Sequence, residues 1–198
     1  MPSMIQENAD FSHKLTACFG NLAEFEQKIQ QIAEICGIDL SQFEIDHLAV
    51  RMNQLETAKI WREMLLTDAT ILKESEVNGR LIGLFILNQP PMFCEQSVSI
   101  IELPFPKGKN YPQEGWEHIE IVVPMQENES VEQWIERCCK RWNLQENLQI
   151  HLKISQPQVA GELLPNPSIA ISLNNKEFYN FCALKLHPYS IQEICRQN

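Results

Sequence analysis

Long apolar runs are missing from this sequence of 198 residues. A membrane-spanning helix needs about 20 mainly apolar residues in a row, and no such run occurs, so no membrane span is expected. The opening segment MPSMIQENADF also lacks the basic stretch followed by an apolar run that is typical of a secretory signal. These absences predict a soluble protein of the cytoplasm.

Basic residues are few compared with acidic residues. The chain has 16 lysines and arginines against 26 aspartates and glutamates, which gives a formal net charge of -10. Because an acidic surface repels both a phosphate backbone and anionic lipids, neither nucleic acid nor a membrane is expected as a partner. A small-molecule substrate or ligand remains compatible with this charge, since the net charge does not describe one cleft.

Regular cysteine spacing is also missing, although the chain has seven cysteines. Cys138 and Cys139 are adjacent and no C-x-x-C occurs, which argues against a disulfide framework and against a thiolate zinc site. The motifs G-x-S-x-G, G-x-x-x-x-G-K-[ST] and G-x-G-x-x-G are absent, which excludes several large enzyme classes. His118-Ile-Glu120 has the form H-x-E of zinc deaminases, but no P-C-x-x-C follows, so that function is excluded too.

The apolar residues near the N-terminus recur at steps of three and four from Phe11 to Cys36. This spacing predicts an amphipathic helix over residues 9–36, or two helices broken near Gly20. Gly37 is a natural end for the helix. We expect residues 1–38 to form a helical segment that packs on the rest of the chain as a cap.

Two similar series of elements follow this segment. Alternating and aliphatic runs, turn signals and helical periodicity predict, in the first half, a strand, a helix and three strands at 45–52, 55–66, 69–74, 80–87 and 97–103. Asn78-Gly79 predicts a tight hairpin between the second and third of these strands.

The second half repeats this order. The predicted strand, helix and three strands lie at 116–123, 131–142, 148–154, 168–173 and 180–187. Ser130 and Gln133 have the spacing of a capping box, Asn174-Asn175 could turn the last two strands, and Ser190 with Glu193 could cap a short C-terminal helix.

The fold class that follows is α+β, with two βαβββ modules. We expect the first module at 39–106 and the second at 114–198, joined by the Pro- and Gly-bearing segment 104–115. Two half-sheets of this kind leave a face uncovered unless they pack together. The prediction is therefore a curved mixed sheet around a cavity, which is where ligands usually bind.

Histidines and acidic residues stand at matched places in the two modules. The first strands contain Asp46-His47 and Glu117-His118, and the last strands end in Glu102 and His187, shortly before prolines. Pseudo-symmetry would bring His47, Glu102, His118 and His187 together. Imidazole and carboxylate suit zinc, iron, nickel or manganese, whereas a structural role for these histidines is the alternative that spacing alone leaves open. His13 and His151 have no matching partner, and a surface or packing role is expected for them.

Six sequence blocks together resemble the YecM family, a branch of the vicinal-oxygen-chelate superfamily. They are DHLAVR, VNGRLIGLF, SIIELPFP, YPQEGWEHIEIVVP, LPNPSIA and LKLHPYSIQEI, and the resemblance covers about residues 15–195. It implies the paired βαβββ fold of glyoxalase I, extradiol dioxygenases and drug-resistance proteins. It also implies a divalent metal ion held by the first and last strands of each module, which here gives His47, Glu102, His118 and His187.

The superfamily commonly supplies a carboxylate where this chain has His187. Without His187, the remaining predicted ligands form a set of two histidines and one carboxylate, which leaves coordination positions open for a chelating substrate.

Other side chains are candidates for handling a substrate. Glu120 shares a strand face with His118 and could act as a general base or orient a ligand imidazole, whereas the alternative is a solvent-facing glutamate. Arg51, Arg80 and Lys185 could anchor an anionic substrate. The alternative for these three cations is a structural ion pair with an acidic residue such as Asp46, Glu102 or Glu120.

Three functional hypotheses remain. The first is a metal-dependent isomerase, lyase or dioxygenase that acts on a small oxygenated anion, with Glu120 moving the proton. The second is a protein that binds or sequesters a small molecule in the same cavity without catalysis, with Trp116 as a wall. The third is a structural or interaction protein. A monomer is feasible because both modules lie on one chain.

Overall fold

The N-terminal apolar pattern forms two helices in the computed structural model of this chain, which describes residues 4–156, 163–174 and 182–196. Helix α1 spans Met4–Phe19 and helix α2 spans Leu22–Cys36. Gly20 separates them with a φ of 94°, in the left-handed region that favours glycine. The break near Gly20 is therefore confirmed.

The first series contains one helix and six strands. They are β1 (Glu44–Arg51), α3 (Leu55–Leu65), β2 (Ala69–Val77), β3 (Arg80–Leu87), β4 (Met92–Phe93), β5 (Gln96–Ser97) and β6 (Ile100–Pro104). The sheet order is β2-β3-β6-β1, in which β1 and β6 are parallel and the other pairs antiparallel. Asn78 and Gly79 both have positive φ, so the predicted hairpin turn is confirmed.

The second series repeats this plan. It consists of β7 (Gly115–Val122), α4 (Val131–Arg141), β8 (Ile150–Ser155), β9 (Ser168–Leu173), β10 (Ala183–His187) and α5 (Ile191–Arg196). The sheet order is β7-β10-β9-β8, in which β7 and β10 are parallel and the other pairs antiparallel. The capping box of Ser130 and Gln133 is present at the start of α4. The predicted Asn174-Asn175 turn extends outside the described residues.

The observed order of elements confirms the α+β class. In each series, the four longer strands form a mixed sheet. In each series the first strand pairs in parallel with the last strand, and a helix follows the first strand. Each helix in the described ranges is too short or too polar to cross a membrane.

The chain divides into two compact units. Unit 1 comprises Met1–Glu26 and His47–Glu117, and unit 2 comprises Gln27–Asp46 and His118–Asn198. The boundaries fall within α2, β1 and β7. The division predicted from the sequence, at 1–38, 39–106 and 114–198, stays a prediction.

An aromatic cluster fixes the start of β7 in unit 1. The Phe19 ring meets the rings of Trp61 and Trp116 edge-on at 5.0 Å, and Phe25 stacks on Trp116 at 5.8 Å. The Trp116 indole Nε1 donates a hydrogen bond to the Gly20 carbonyl oxygen at 3.0 Å. This bond satisfies the polar atom of an otherwise apolar, buried side chain.

Gly115 lies directly against the end of α1. Its φ is 108°, and a Cβ built at this position would lie 2.2 Å from the Phe19 carbonyl oxygen. Both the backbone conformation and the available space therefore require glycine here.

A half-buried ion pair supports α4 in unit 2. Arg137 Nε lies 2.6 Å from Glu129 Oε1 and Arg137 Nη2 lies 2.9 Å from Glu129 Oε2, so the pair is bidentate. Nη2 also donates to the Pro124 carbonyl oxygen at 2.9 Å. The hydrogen bonds from Arg137 lower the pKa of the Glu129 carboxyl group below its ordinary value.

Replacing Gly115 with alanine is expected to lower the free energy of unfolding by roughly 2–4 kcal/mol, because backbone strain adds to a clash with Phe19. Gly108 is the matched control, since its φ is 80° but no atom lies within 4 Å of a built Cβ. Its alanine variant should lose only about 1–2 kcal/mol. Urea unfolding measures both losses, and equal losses would show that the close approach to Phe19 is unimportant.

An Arg137→Gln variant should be less stable than the wild type at neutral pH, and the difference should shrink on acidification. The folded pKa of Glu129 is lowered, so the ion pair stabilises the fold above the ordinary carboxyl pKa of about 4.3 and its contribution is lost as the pH falls below it. Urea unfolding at a series of pH values measures the difference. Lys140→Gln, at an exposed position of α4, is the control. A difference that does not change with pH would contradict the expected role of Glu129.

Candidate metal centre

Strand β1 is buried on both faces, which is unusual for a strand that carries ionisable residues. Seven of its eight residues are buried, and only Glu44 is exposed. Because alternate residues of a strand share a face, His47 lies on the same face as Ala49 and Arg51. The His47 side chain is 0% exposed. Burial without a polar partner would be costly for an imidazole, so its neighbours decide its role.

Glu102 is the partner that unit 1 provides for His47. In the parallel pairing of β1 with β6, Glu102 stands opposite Ala49, two residues beyond His47. The Glu102 side chain is 17% exposed, and its Oε2 lies 3.4 Å from His47 Nε2. The fold therefore brings together two of the four ligands predicted from the sequence. A buried imidazole facing a carboxylate can share a proton or a metal ion.

Unit 2 carries His118 and Glu120 on one face of β7. His118 is 3% exposed and Glu120 is half-buried. In the parallel pairing of β7 with β10, Ala183 stands opposite His118 and Lys185 stands opposite Glu120. A carboxylate and an ammonium group therefore neighbour each other across the strands, close to the buried histidine.

The two registers show which residues occupy equivalent places. Glu102 stands opposite the residue two positions after His47, and Lys185 stands opposite the residue two positions after His118. Lys185, and not His187, is thus the positional counterpart of Glu102. The nearby prolines suggest His187 as the counterpart, but Glu102 lies two residues before Pro104 whereas His187 lies one residue before Pro188.

His187 lies farther along β10. It stands opposite Val122, four residues from the level of His118, which is about 13 Å along the strand. Its Nδ1 lies 2.8 Å from the Tyr189 carbonyl oxygen. Within unit 2, the fold therefore does not bring His187 next to His118.

Arg51 makes several contacts with the segment between β6 and β7. Its Nε donates to the Gln113 carbonyl oxygen at 2.8 Å, its Cζ lies 4.9 Å from the centre of the Tyr111 ring, and its Nη1 lies 3.9 Å from Glu117 Oε1. Asn53 exchanges two hydrogen bonds with the backbone of Tyr111. These contacts favour the structural role of Arg51, with Glu117 as its acidic partner.

The other predicted substrate contacts in unit 1 lie apart from Glu102. Arg80 follows the hairpin turn at the start of β3, four residues from Leu84, which is the neighbour of Glu102. That separation is about 13 Å along the strand. Trp116 does line a cavity, but its neighbours there come from α1, the start of α2 and the loop 89–91.

Asp46 has a role that the sequence analysis missed. It is 7% exposed, and the backbone N–H of Ile191 donates to both of its carboxylate oxygens at 3.1 Å. The carboxylate thereby satisfies a free N–H group at the start of α5. A charged residue directly after the apolar Ile45, in a strand with an aliphatic run at 48–50, is the signal that could have pointed to this contact.

Possible metal ligands are present among the described residues. Within unit 1 they are His47 and Glu102, whose side chains face each other, and within unit 2 they are His118 and Glu120 on one face of β7. Asp46 is not preferred as a ligand, because its carboxylate already accepts hydrogen bonds from α5. Two imidazoles and one carboxylate are a donor set that zinc, iron, nickel and manganese accept. His13 and His151 are exposed, as expected for surface residues.

The cysteines do not provide a competing site. None of the seven forms a disulfide bond in the described parts of the chain, where all of them lie. Burial raises the pKa of the Cys138 thiol to about 12 and that of Cys36 to about 11. Since a thiolate is the form that binds metal, these groups are poor ligands.

A family model and a curated relative of this chain both carry the name YecM. The family described as YecM protein matches residues 14–198. An uncharacterized protein of Haemophilus influenzae is 48% identical over 192 residues, which cover 97% of this chain and 96% of the relative. Protein YecM of Escherichia coli is 33% identical over 177 residues, which cover 88% of each.

Two solved structures resemble this chain to different degrees. The structure titled "Structural Genomics, Protein EC4020" has a TM-score of 0.75 and 33% identity, and the match covers 89% of this chain and 88% of that chain. A methylmalonyl-CoA epimerase of Streptomyces coelicolor, solved with 2-nitronate-propionyl-CoA, has a TM-score of 0.41 and 13% identity over 72% of this chain and 94% of that chain. On the family match and the two curated relatives, the chain belongs to the YecM protein family.

Proposed function

We propose that this chain is a metal-dependent enzyme in which His47, Glu102 and His118 hold one divalent ion and act on a small oxygenated anion. The observation that carries the proposal is the buried imidazole of His47, whose Nε2 lies 3.4 Å from Glu102 Oε2. The expected reaction class is an isomerisation or lyase step that begins with proton removal next to a carbonyl group. Dioxygenase chemistry is a second possibility for the same ligands.

His47 and Glu102 support this proposal through their placement on adjacent parallel strands. Both backbones are held by the sheet, so neither side chain depends on a loop for its position. Glu102 keeps a small exposed fraction, which is consistent with a site that a substrate can reach. An unneeded carboxylate beside a buried histidine would cost stability, because both groups lose hydration.

His118 is included because it matches His47 in three respects. Each histidine is in the first strand of its series, each follows an acidic residue, and each is almost fully buried. Together with Glu102, the two imidazoles make a two-histidine, one-carboxylate donor set. His187 is not included in the proposed set, because in the register of β10 with β7 it is Lys185 that occupies the position equivalent to Glu102.

Glu120 and Lys185 have complementary roles in this proposal. Glu120 accepts the proton that leaves the substrate carbon, and Lys185, its neighbour in the next strand, holds an anionic group of the substrate. The bound ion would act as a Lewis acid towards the substrate oxygens. The expected partner is a small molecule in the cytoplasm, and zinc, iron, nickel and manganese all suit the donor set.

Protein purified without chelators and without a nickel affinity column is expected to contain about one divalent ion per chain. His47→Ala, Glu102→Gln and His118→Ala should each lower the metal content at least about tenfold, because each removes a ligand. Elemental analysis measures the content, and circular dichroism checks that each variant is folded. His187→Ala should keep its metal ion.

His151→Ala is the matched control, since His151 is an exposed histidine of β8. It should bind as much metal as the wild type. A wild-type protein that contains no metal, and whose melting temperature does not rise when zinc, iron, nickel or manganese is added, would contradict the proposed site.

Glu120→Gln should separate proton transfer from metal binding. In D₂O, the wild type is expected to exchange the proton next to the carbonyl group in at least one of a set of small 2-oxo carboxylates, followed by ¹H NMR. The variant should exchange it at least about 100-fold more slowly while its metal content is unchanged. Glu132→Gln, at an exposed position of α4, is the control.

Undiminished exchange in Glu120→Gln would show that Glu120 is not the base. If the metal-loaded wild type exchanges none of the compounds, the non-catalytic alternative, a protein that binds or sequesters a small molecule, becomes the preferred function.

A further inference from the structure

Unit 1 contains a cavity that includes none of the proposed metal ligands. Its volume is about 440 Å³, within the range of small-molecule sites. Ten residues from α1, the start of α2, the loop after β3 and the start of β7 line it: Phe11, Ser12, Leu15, Thr16, Gly20, Leu22, Gln89, Pro90, Pro91 and Trp116.

The cavity has an apolar floor and a polar, exposed rim. Phe11, Leu15 and Trp116 are each at most 6% exposed and contribute the floor. Ser12 and Thr16 are exposed on α1 and contribute hydroxyl groups at the rim. None of the ten lining residues is charged, although the chain as a whole carries a net charge of -10. An occupant therefore meets no ionic partner, which favours a neutral molecule.

Gln89 supplies a specific polar feature. Its side-chain Oε1 is buried, and no group in the described parts of the chain donates a hydrogen bond to it. A buried acceptor without a donor is energetically unfavourable, because it has lost its hydration without gaining a hydrogen bond. Rotation of the Gln89 amide towards the cavity would break no hydrogen bond at this oxygen, so a ligand N–H or O–H group could satisfy it.

The walls of the cavity are fixed in place. Trp116 is held by its hydrogen bond to the Gly20 carbonyl oxygen and by its stacking on Phe25. The loop that carries Gln89 is pinned at both ends, since Asn88 N–H donates to the Asp68 carbonyl oxygen at 2.9 Å and Val98 N–H donates to the Pro91 carbonyl oxygen at 3.0 Å. A cavity with fixed walls loses little entropy on binding.

We propose that this cavity is a second binding site, for a small neutral molecule with a flat apolar body and one N–H or O–H donor. The body packs on Trp116, Phe11 and Leu15, and the donor bonds to Gln89 Oε1. This site is separate from the proposed metal centre, and binding here does not require the metal ion.

Indole is a suitable probe because it is neutral, flat and has one N–H donor, and 1-methylindole is its matched analogue without the donor. We expect indole to bind the full-length protein with a Kd below about 1 mM. Titration with ¹⁵N-labelled protein should shift the Trp116 Nε1–H and Thr16 amide signals. 1-Methylindole should bind about five- to tenfold more weakly.

Two variants test the assignment. Gln89→Leu should weaken indole about five- to tenfold and leave 1-methylindole unchanged, because it removes only the acceptor. Ser12→Trp should abolish binding of both probes by filling the rim. His13→Trp, the next residue of α1, is exposed and does not line the cavity, so it should bind as the wild type does.

No shift of these signals with about 5 mM of either probe would overturn the proposal. If the wild type binds indole and 1-methylindole equally well, and Gln89→Leu binds indole as well as the wild type does, the role of the donor would be overturned. Full binding of the probes by a folded Ser12→Trp variant would overturn the location of the site. His47→Ala should bind indole normally, so a failure of the metal centre and a failure of this site are separable.

Discussion

A histidine and a glutamate on adjacent parallel strands are the constraint on which the proposed chemistry depends. His47 Nε2 and Glu102 Oε2 lie 3.4 Å apart, and the His47 side chain is fully buried. Parallel strands covered on both faces normally consist of continuous aliphatic runs, and β1 has such residues at Leu48, Ala49 and Val50. Removing an imidazole and a carboxylate from water costs free energy that aliphatic residues would not cost. Packing alone does not explain why this pair is buried, whereas a functional role does.

Much of the fold could be predicted because local chemistry and final structure agree. Asn78-Gly79 forms the turn that its left-handed preference indicates, and Ser130 with Gln133 forms the predicted capping box. The β4–β5 ribbon was missed, because its turn places Cys94 and Glu95 at φ of 48° and 64°. Neither residue is common in the left-handed region, so the local sequence does not predict this turn.

The candidate site was predicted less completely, and the reason is strand register. Spacing along the chain predicts His47, Glu102 and His118 as ligands, because alternation within each strand is enough to assign their faces. The residue opposite Glu120 depends on how β10 pairs with β7, which turn residues and prolines do not determine. The prolines after Glu102 and His187 suggested one alignment of the strand ends, and the register gives another in which Lys185 takes the place. A shift of two residues keeps the strand face but changes the chemistry.

The two units differ in the charge of the side chains at equivalent cross-strand positions. At equivalent cross-strand places, unit 1 has Ala49 beside Glu102 and unit 2 has Glu120 beside Lys185. The first pair offers one carboxylate and no competing charge, which suits a metal ligand. The second pair offers a carboxylate next to a cation, which suits proton transfer and the binding of an anion. Two modules of the same plan can thus differ in chemistry, because the side chains at one matched position differ in charge.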